Sequence, residues 1–153
     1  MLTPAQVASL RTLANTDPIA SGYVATADDI ALASWFNEVT VHVVWRTTLN
    51  PEMSRLAIIE GATQLDALTI GKRDSLFWLC SGNLNPSITS VRAAIDDLCG
   101  TQNTLKGALQ SAQKRTATRA EKALASGTGT TANPATMTYE SLLSYAEAST
   151  IRS

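Results

Sequence analysis

Charge, aromatic rings and histidine are all scarce in this chain. Of its 153 residues, 16% are charged and 5% aromatic, and His42 is the sole histidine. So little charge is low for a highly soluble free monomer. The net charge of −1 excludes attraction of the whole molecule to nucleic acid or an anionic membrane. One histidine with two cysteines, Cys80 and Cys99, cannot complete a zinc set, and no C-x-x-C spacing exists, so no metal and no other cofactor is expected. No apolar run approaches the ~18 residues of a membrane span, so no membrane partner is expected. The start, MLTPAQVASL, lacks the charged and apolar regions of a signal peptide, which leads us to expect a cytoplasmic protein. Each cysteine ends an apolar helical pattern and reads as a small hydrophobe in a reducing compartment.

What the chain does hold is apolar: 44% of residues, enough for a core in one domain. Thr3, Pro4 and Gln6 make an N-cap, a first-turn proline and a capping-box partner for a helix over 4–14. Asp17-Pro18 opens a short second helix ending near Gly22. Thr26 with Asp29 is expected to cap a third, with Leu32, Trp35, Phe36 and Val39 on one face. In VTVHVVWRT the valines and Trp45 alternate with Thr40, His42, Val44 and Arg46, which predicts a strand over 39–47. Asn50-Pro51 caps a helix over 51–59. Residues 65–81 predict a helix covered on most sides and closed at Gly82, and Asn85-Pro86 starts another that ends at Gly100. The longest helix is predicted over 102–126, with Leu105, Leu109, Ala112, Thr116, Ala120 and Ala123 in one stripe. GTGTTANPAT then reads as an exposed, flexible arm. A short strand at 137–139 and a final helix capped by Ser144 and Glu147 follow. The expected fold is mainly α: a compact bundle of five to six helices with a short β element. The body spans 1–126, and the C-terminal arm, with its strand and terminal helix, spans 127–153.

Chemistry is harder to find. His42 lies on the polar parity of the strand, with no nucleophile or orienting carboxylate nearby, and reads as a surface or interface residue. Asp28-Asp29 suit a helix N-terminus, and Asp96 is placed to pair with Arg92. Gly127-Thr128-Gly129-Thr130-Thr131-Ala132 matches a loose dinucleotide pattern, but a helix enters it and Asn133-Pro134 follows, so the match is rejected. No catalytic residue is assigned, and an enzyme is not expected.

Charge placement is more informative. Residues 1–100 hold six Lys/Arg against ten Asp/Glu, and residues 101–153 hold six against three, a polarity that suits head-to-tail packing. On the predicted long helix, Arg115, Arg119 and Lys122 would form one basic ridge. It is either a solvated edge or a surface neutralised by an acidic neighbour or by DNA passing nearby. Without aromatic interleaving, sequence-specific DNA binding is not expected. Trp45-Arg46 are residue types enriched at interface hot spots, although a core anchor is the preferred reading of Trp45.

The string Val44-Trp45-Arg46-Thr47, the run at 115–136 and the short strand after it resemble small proteins of the structural modules of tailed bacteriophages. The plan is similar to that of head–tail connector (adaptor) proteins. The resemblance implies a homo-oligomeric, dodecameric ring between the portal protein and a downstream tail or neck protein, with DNA passing non-specifically through it. It implies a place first in the host cytoplasm and then at the head–tail junction of the virion. The arm, with Thr128, Thr130, Thr131 and Tyr139, would dock on the portal or on a neighbouring subunit. Another virion protein (head-completion, tail-completion or capsid-stabilising) or a small cytoplasmic protein-binding adaptor are the alternatives.

Overall fold

The computed structural model describes residues 1–153. In chain order it comprises α1 (Pro4–Thr16), α2 (Ala20–Thr26), α3 (Asp29–Asn37), β1 (Val39–Trp45), α4 (Pro51–Glu60), a 3-10 helix (Ala62–Ala67), α5 (Ile70–Cys80), α6 (Thr89–Cys99), α7 (Asn103–Ala112), β2 (Lys114–Thr118), α8 (Arg119–Leu124) and α9 (Tyr145–Arg152). The protein is mainly helical, and β1 and β2 form a two-stranded antiparallel sheet. Contacts divide the chain into two units. One holds Met1–Val44 with Thr116–Ser153, and the other holds Trp45–Arg115.

Local signals in the sequence make many of these elements. Thr3 and Gln6 close a reciprocal capping box on α1, with Pro4 in the first turn. Asn50 accepts from the Met53 amide at 2.9 Å ahead of Pro51. Ser144 and Glu147 repeat the capping box on α9. Asp28, rather than Thr26, caps α3 by accepting from the Ala31 amide at 2.9 Å. Thr26 instead ends α2 and turns its hydroxyl back to the Gly22 carbonyl.

The predicted helix over 102–126 does not exist as one element. It is α7, then β2, then α8. The break has a physical cause: Thr118 adopts an extended backbone and caps α8 with Glu121, so the chain must leave the helical path before it. Threonine at 116 and 118 also favours an extended segment. The expected helix over 65–81 likewise divides into the 3-10 helix and α5, because Thr69 caps the second piece. Ser81 closes α5 in place of Gly82, and α6 begins at Thr89, three residues after Pro86. The short strand expected at 137–139 is displaced: Ala135 bridges Val44 in parallel, and Thr136 bridges Ser126.

The first unit is built around Leu10, Leu32, Phe36 and Ile151, all fully buried. Trp35 meets Phe36 edge to face, with ring centroids 4.9 Å apart. Tyr139, Leu143 and Ala148 complete this core. The segment expected as an exposed arm therefore divides. Residues 127–134 are mostly exposed, whereas Ala135, Met137, Tyr139, Leu143, Ala148 and Ile151 are buried. The cause is apolar content at long sequence separation, which has no local period. A small satellite cluster of Val44, Ala117, Ala135 and Met137 lies beneath the sheet region of this unit.

The second unit closes over Leu49, Leu76, Ile95, Leu105 and Leu109, with Cys80 and Cys99 among them as free thiols. Burial pushes the Cys80 thiol up to about 11 and raises Cys99 as well, so both stay protonated and inert at neutral pH. Gly61 lets α4 close on α7: a Cβ there would stand 2.5 Å from the Leu105 Cα. Gly107, inside α7, has open space around it. Gly61→Ala should therefore lower stability by about 1–3 kcal/mol through overpacking. Gly107→Ala should raise it by about 0.5–1 kcal/mol. Chemical denaturation of the two variants checks the opposite signs.

Candidate functional site

Apolar surface left facing solvent is the strongest functional signal in the structure, and α5 carries it. Leu76 and Cys80, one turn apart, face the core of the second unit. Ile70, Asp74, Phe77 and Trp78, at i, i+4, i+7 and i+8, fall on the other side and are exposed. Trp78 is 78% exposed and Ile70 70% exposed, so the expectation of a helix covered on most sides fails here. A stretch as apolar as Leu76–Cys80 needs neighbours on two sides, and the unit supplies them on one. Leu56 and Ile59 on α4 are exposed as well. A cleft of about 220 Å3 lined by Pro51, Arg55, Ile58, Phe77 and Cys80 lies between α4 and α5. In the first unit, β1 turns Val39 and Val41 outward, the latter 93% exposed. Sequence alternation showed this valine parity, opposite the parity that holds His42.

Trp45 belongs to neither principal core. The Arg92 guanidinium lies 4.3 Å from its ring centroid and the Lys114 ammonium 5.3 Å, two cation–π contacts worth about 0.5–2 kcal/mol each. Arg92 is held in place by the Pro86 and Ser87 carbonyls and the Thr89 hydroxyl. It is not paired with Asp96, which accepts instead from Gln110 at 2.9 Å. Arg46 Nε donates to the Ala112 carbonyl at 3.0 Å, and the Arg46 amide donates to Gln113 O at 2.9 Å. These contacts latch the start of the second unit to the end of α7.

The basic ridge is dissolved by the break in the long helix. Arg115 lies on β2, while Arg119 and Lys122 lie on α8. Arg119 is half-buried with its guanidinium 4.6 Å from the Trp35 ring centroid, and it pairs with Glu38 at 2.6 Å. Glu121 is buried as the capping partner of Thr118.

The Gly/Thr loop folds on itself. Thr128 Oγ1 donates to the Asn133 carbonyl, and Thr130 Oγ1 accepts from the Asn133 amide, each at 3.0 Å. Thr130 and Thr131 are exposed, and the Tyr139 ring is buried in the first core. No helix starts at the end of this loop, where Ala135 and Thr136 form β-bridges instead. Gly129 has φ +67°, and its carbonyl accepts from the Val43 amide at 2.8 Å. The His42 ring lies directly over Gly129, where any Cβ would collide with it. His42 is thus half-buried rather than a surface residue, and its Nε2 has no partner.

Asp29, expected at a helix N-terminus, lies in the first turn of α3 and is bridged by Arg152 at 2.7 Å, which holds its carboxyl below the usual range. No three His, Cys, Asp or Glu side chains converge as a metal-holding group, and no helix is long and apolar enough to cross a membrane. No family model, curated protein or solved structure matches the chain.

Burial first, and the Lys122 charge second, depress the proton affinity of His42 below its ordinary 6.5. The unfolded chain therefore takes up this proton at higher pH than the folded one. The contribution of His42 to stability is complete above pH 6.5 and is lost as pH falls from there through the lower folded value. Melting curves from about pH 7.5 to about pH 5.5 should show a decline in the wild type that His42→Gln reduces. Gly129→Ala should cost about 1–3 kcal/mol by forcing the ring and loop apart.

Proposed function

We propose that this chain is a structural subunit that acts by assembling with copies of itself, and, more specifically, that it is a head–tail connector of a tailed-phage virion. The observation that carries the assembly reading is the outward apolar face of α5. Trp78, Phe77 and Ile70 form a cluster that water disfavours at about 25 cal/mol per Å2, and aromatic anchors of this kind dominate interface energetics.

Charge supports contact between unlike surfaces. The first unit has four Lys/Arg against seven Asp/Glu, net −3, and the second has eight against six, net +2. Opposite signs on the two units favour head-to-tail contacts, which close into rings when the rotation permits. The connector role, with its dodecameric ring, portal and tail or neck neighbours and DNA passage, rests on the sequence resemblance. It draws nothing from the basic ridge, which the fold has removed. An adaptor that binds one partner without forming a ring is the second reading, which the same exposed Trp78 and Phe77 would serve.

Light scattering coupled to size separation should find a discrete multimer of the 16.2 kDa chain. Trp78→Asp should weaken assembly by about 2 kcal/mol per contact, roughly 30-fold in dissociation constant, with little change in melting temperature. A chain that stays monomeric at every concentration, or a Trp78→Asp variant that assembles like the wild type, would overturn the reading.

A further inference from the structure

The exposed face of α5 is apolar but not uncharged. Of the three charged residues on this helix, two are answered inside the second unit: Lys72 pairs with Asp97 at 3.9 Å and Arg73 with Asp66 at 3.7 Å. Asp74 makes no ion pair, and it lies on the exposed ridge between Ile70 and Trp78, four residues from each. A carboxylate within an apolar ridge makes a purely apolar partner a poor match, because covering it without a cation strands a charge. Whatever covers α5 must bring a positive group to Asp74.

The same patch holds such a group. Arg55 on α4 is exposed and makes no ion pair, and it lines the cleft of about 220 Å3 together with Phe77 and Cys80 of α5. Glu52, one turn earlier on α4, does not pair with it. Ile59, one turn later, carries the exposed apolar surface past it. Phe77 is therefore flanked by an unpaired anion and an unpaired cation. Asp74 stands about 4.5 Å along the axis toward the start of α5, and Arg55 stands across the cleft beside its last turn. A two-fold axis near Phe77 exchanges these flanks. It sets Asp74 of each copy against Arg55 of the other, twice per contact, while Ile70, Phe77 and Trp78 cover one another. The face is its own complement in charge as well as in polarity, which is what an isologous contact asks of a single surface.

We propose that the α5 face is covered by the same face of a second copy, in a two-fold contact closed by two Asp74–Arg55 ion pairs around Phe77 and Trp78. This rests on the reading that α5 carries self-assembly, and adds which surface receives it. Arg55 becomes an interface residue, although its helix is not the one that carries the aromatic anchors. Head-to-tail contacts between units of opposite charge are left to other surfaces, where they can join such pairs into a larger assembly.

Charge reversal, read by sedimentation of the full chain over a range of concentrations, tests the contact. Both side chains are exposed and unpaired in the single chain, so the variants should melt as the wild type does when dilute. Arg55→Asp and Asp74→Arg should each weaken self-association roughly tenfold or more, because every contact then holds two like-charged pairs. The double variant Arg55→Asp/Asp74→Arg should return to within about threefold of the wild type. An equal mixture of the two single variants should recover as well, since both ion pairs of a mixed contact again join opposite charges. Single variants that associate like the wild type, or a double variant as weak as the singles, would overturn the two-fold match and leave α5 to dock on another surface of the next copy or on a foreign protein. A wild type that never associates would instead overturn the self-assembly reading on which the match rests.

Discussion

Both edges of β1 are occupied, and the first unit depends on that. One edge pairs with β2. On the other, the Val43 amide donates to Gly129 O, and Val43 O accepts from the Ala135 amide at 2.9 Å. These bonds bring a segment nearly ninety positions downstream back to the strand. They bury Val44, Ala117, Ala135 and Met137 together, and they start the path along which Tyr139, Leu143 and Ile151 reach the core of α1 and α3. A core of Leu10, Leu32 and Phe36 without that return would face water on the side that α9 now covers. Long-range closure of this kind carries an entropy cost set by the loop, so the contacts form only where buried area is sufficient to offset it. Gly129, with His42 over its backbone, is the point where the return is tightest.

The same closure decides where partners can meet the chain. Past 134 the chain commits Ala135, Met137, Tyr139, Leu143, Ala148 and Ile151 to the interior of the first unit, and residues 127–134, mostly exposed, close on themselves through Asn133. A segment already ordered in this way does not gain its structure from a partner, unlike one that folds on binding. The apolar surface facing water includes α5, α4 and the outward parity of β1, and also Ile30 on α3 and Leu142 and Tyr145 at the start of α9. The proposed self-assembly therefore uses the faces of ordered elements.

Much of the fold was legible because its signals are local. Capping boxes at Thr3 and Ser144, Asn50-Pro51, and the valine alternation at 39–45 each specify an element within a few residues. The misread helix over 102–126 shows the limit. Its stripe of Leu105, Leu109, Ala112, Thr116 and Ala120 satisfies helical spacing, but Leu105, Leu109 and Ala112 serve the second core, Ala120 the first, and Thr116 is exposed. The overlooked signal was Thr118 with Glu121, a capping box in the middle of the presumed helix. The candidate sites were less legible. Trp78 reads as core from its neighbours in sequence, because outward and inward residues of α5 are equally apolar. The cleft that sets Arg55 beside Phe77 joins α4 to α5, and no short window of sequence contains it.

Hydrogen–deuterium exchange followed as a function of protein concentration tests the central claim most directly, because it reads the C-terminal segment and α5 in one experiment. Amides of Tyr139–Arg152 should be protected equally in dilute and concentrated protein, while new protection on concentration appears over Ile70–Cys80. Rapid exchange of Tyr139–Arg152 in dilute protein, with protection gained only on assembly, would contradict the account and restore the segment as a free arm.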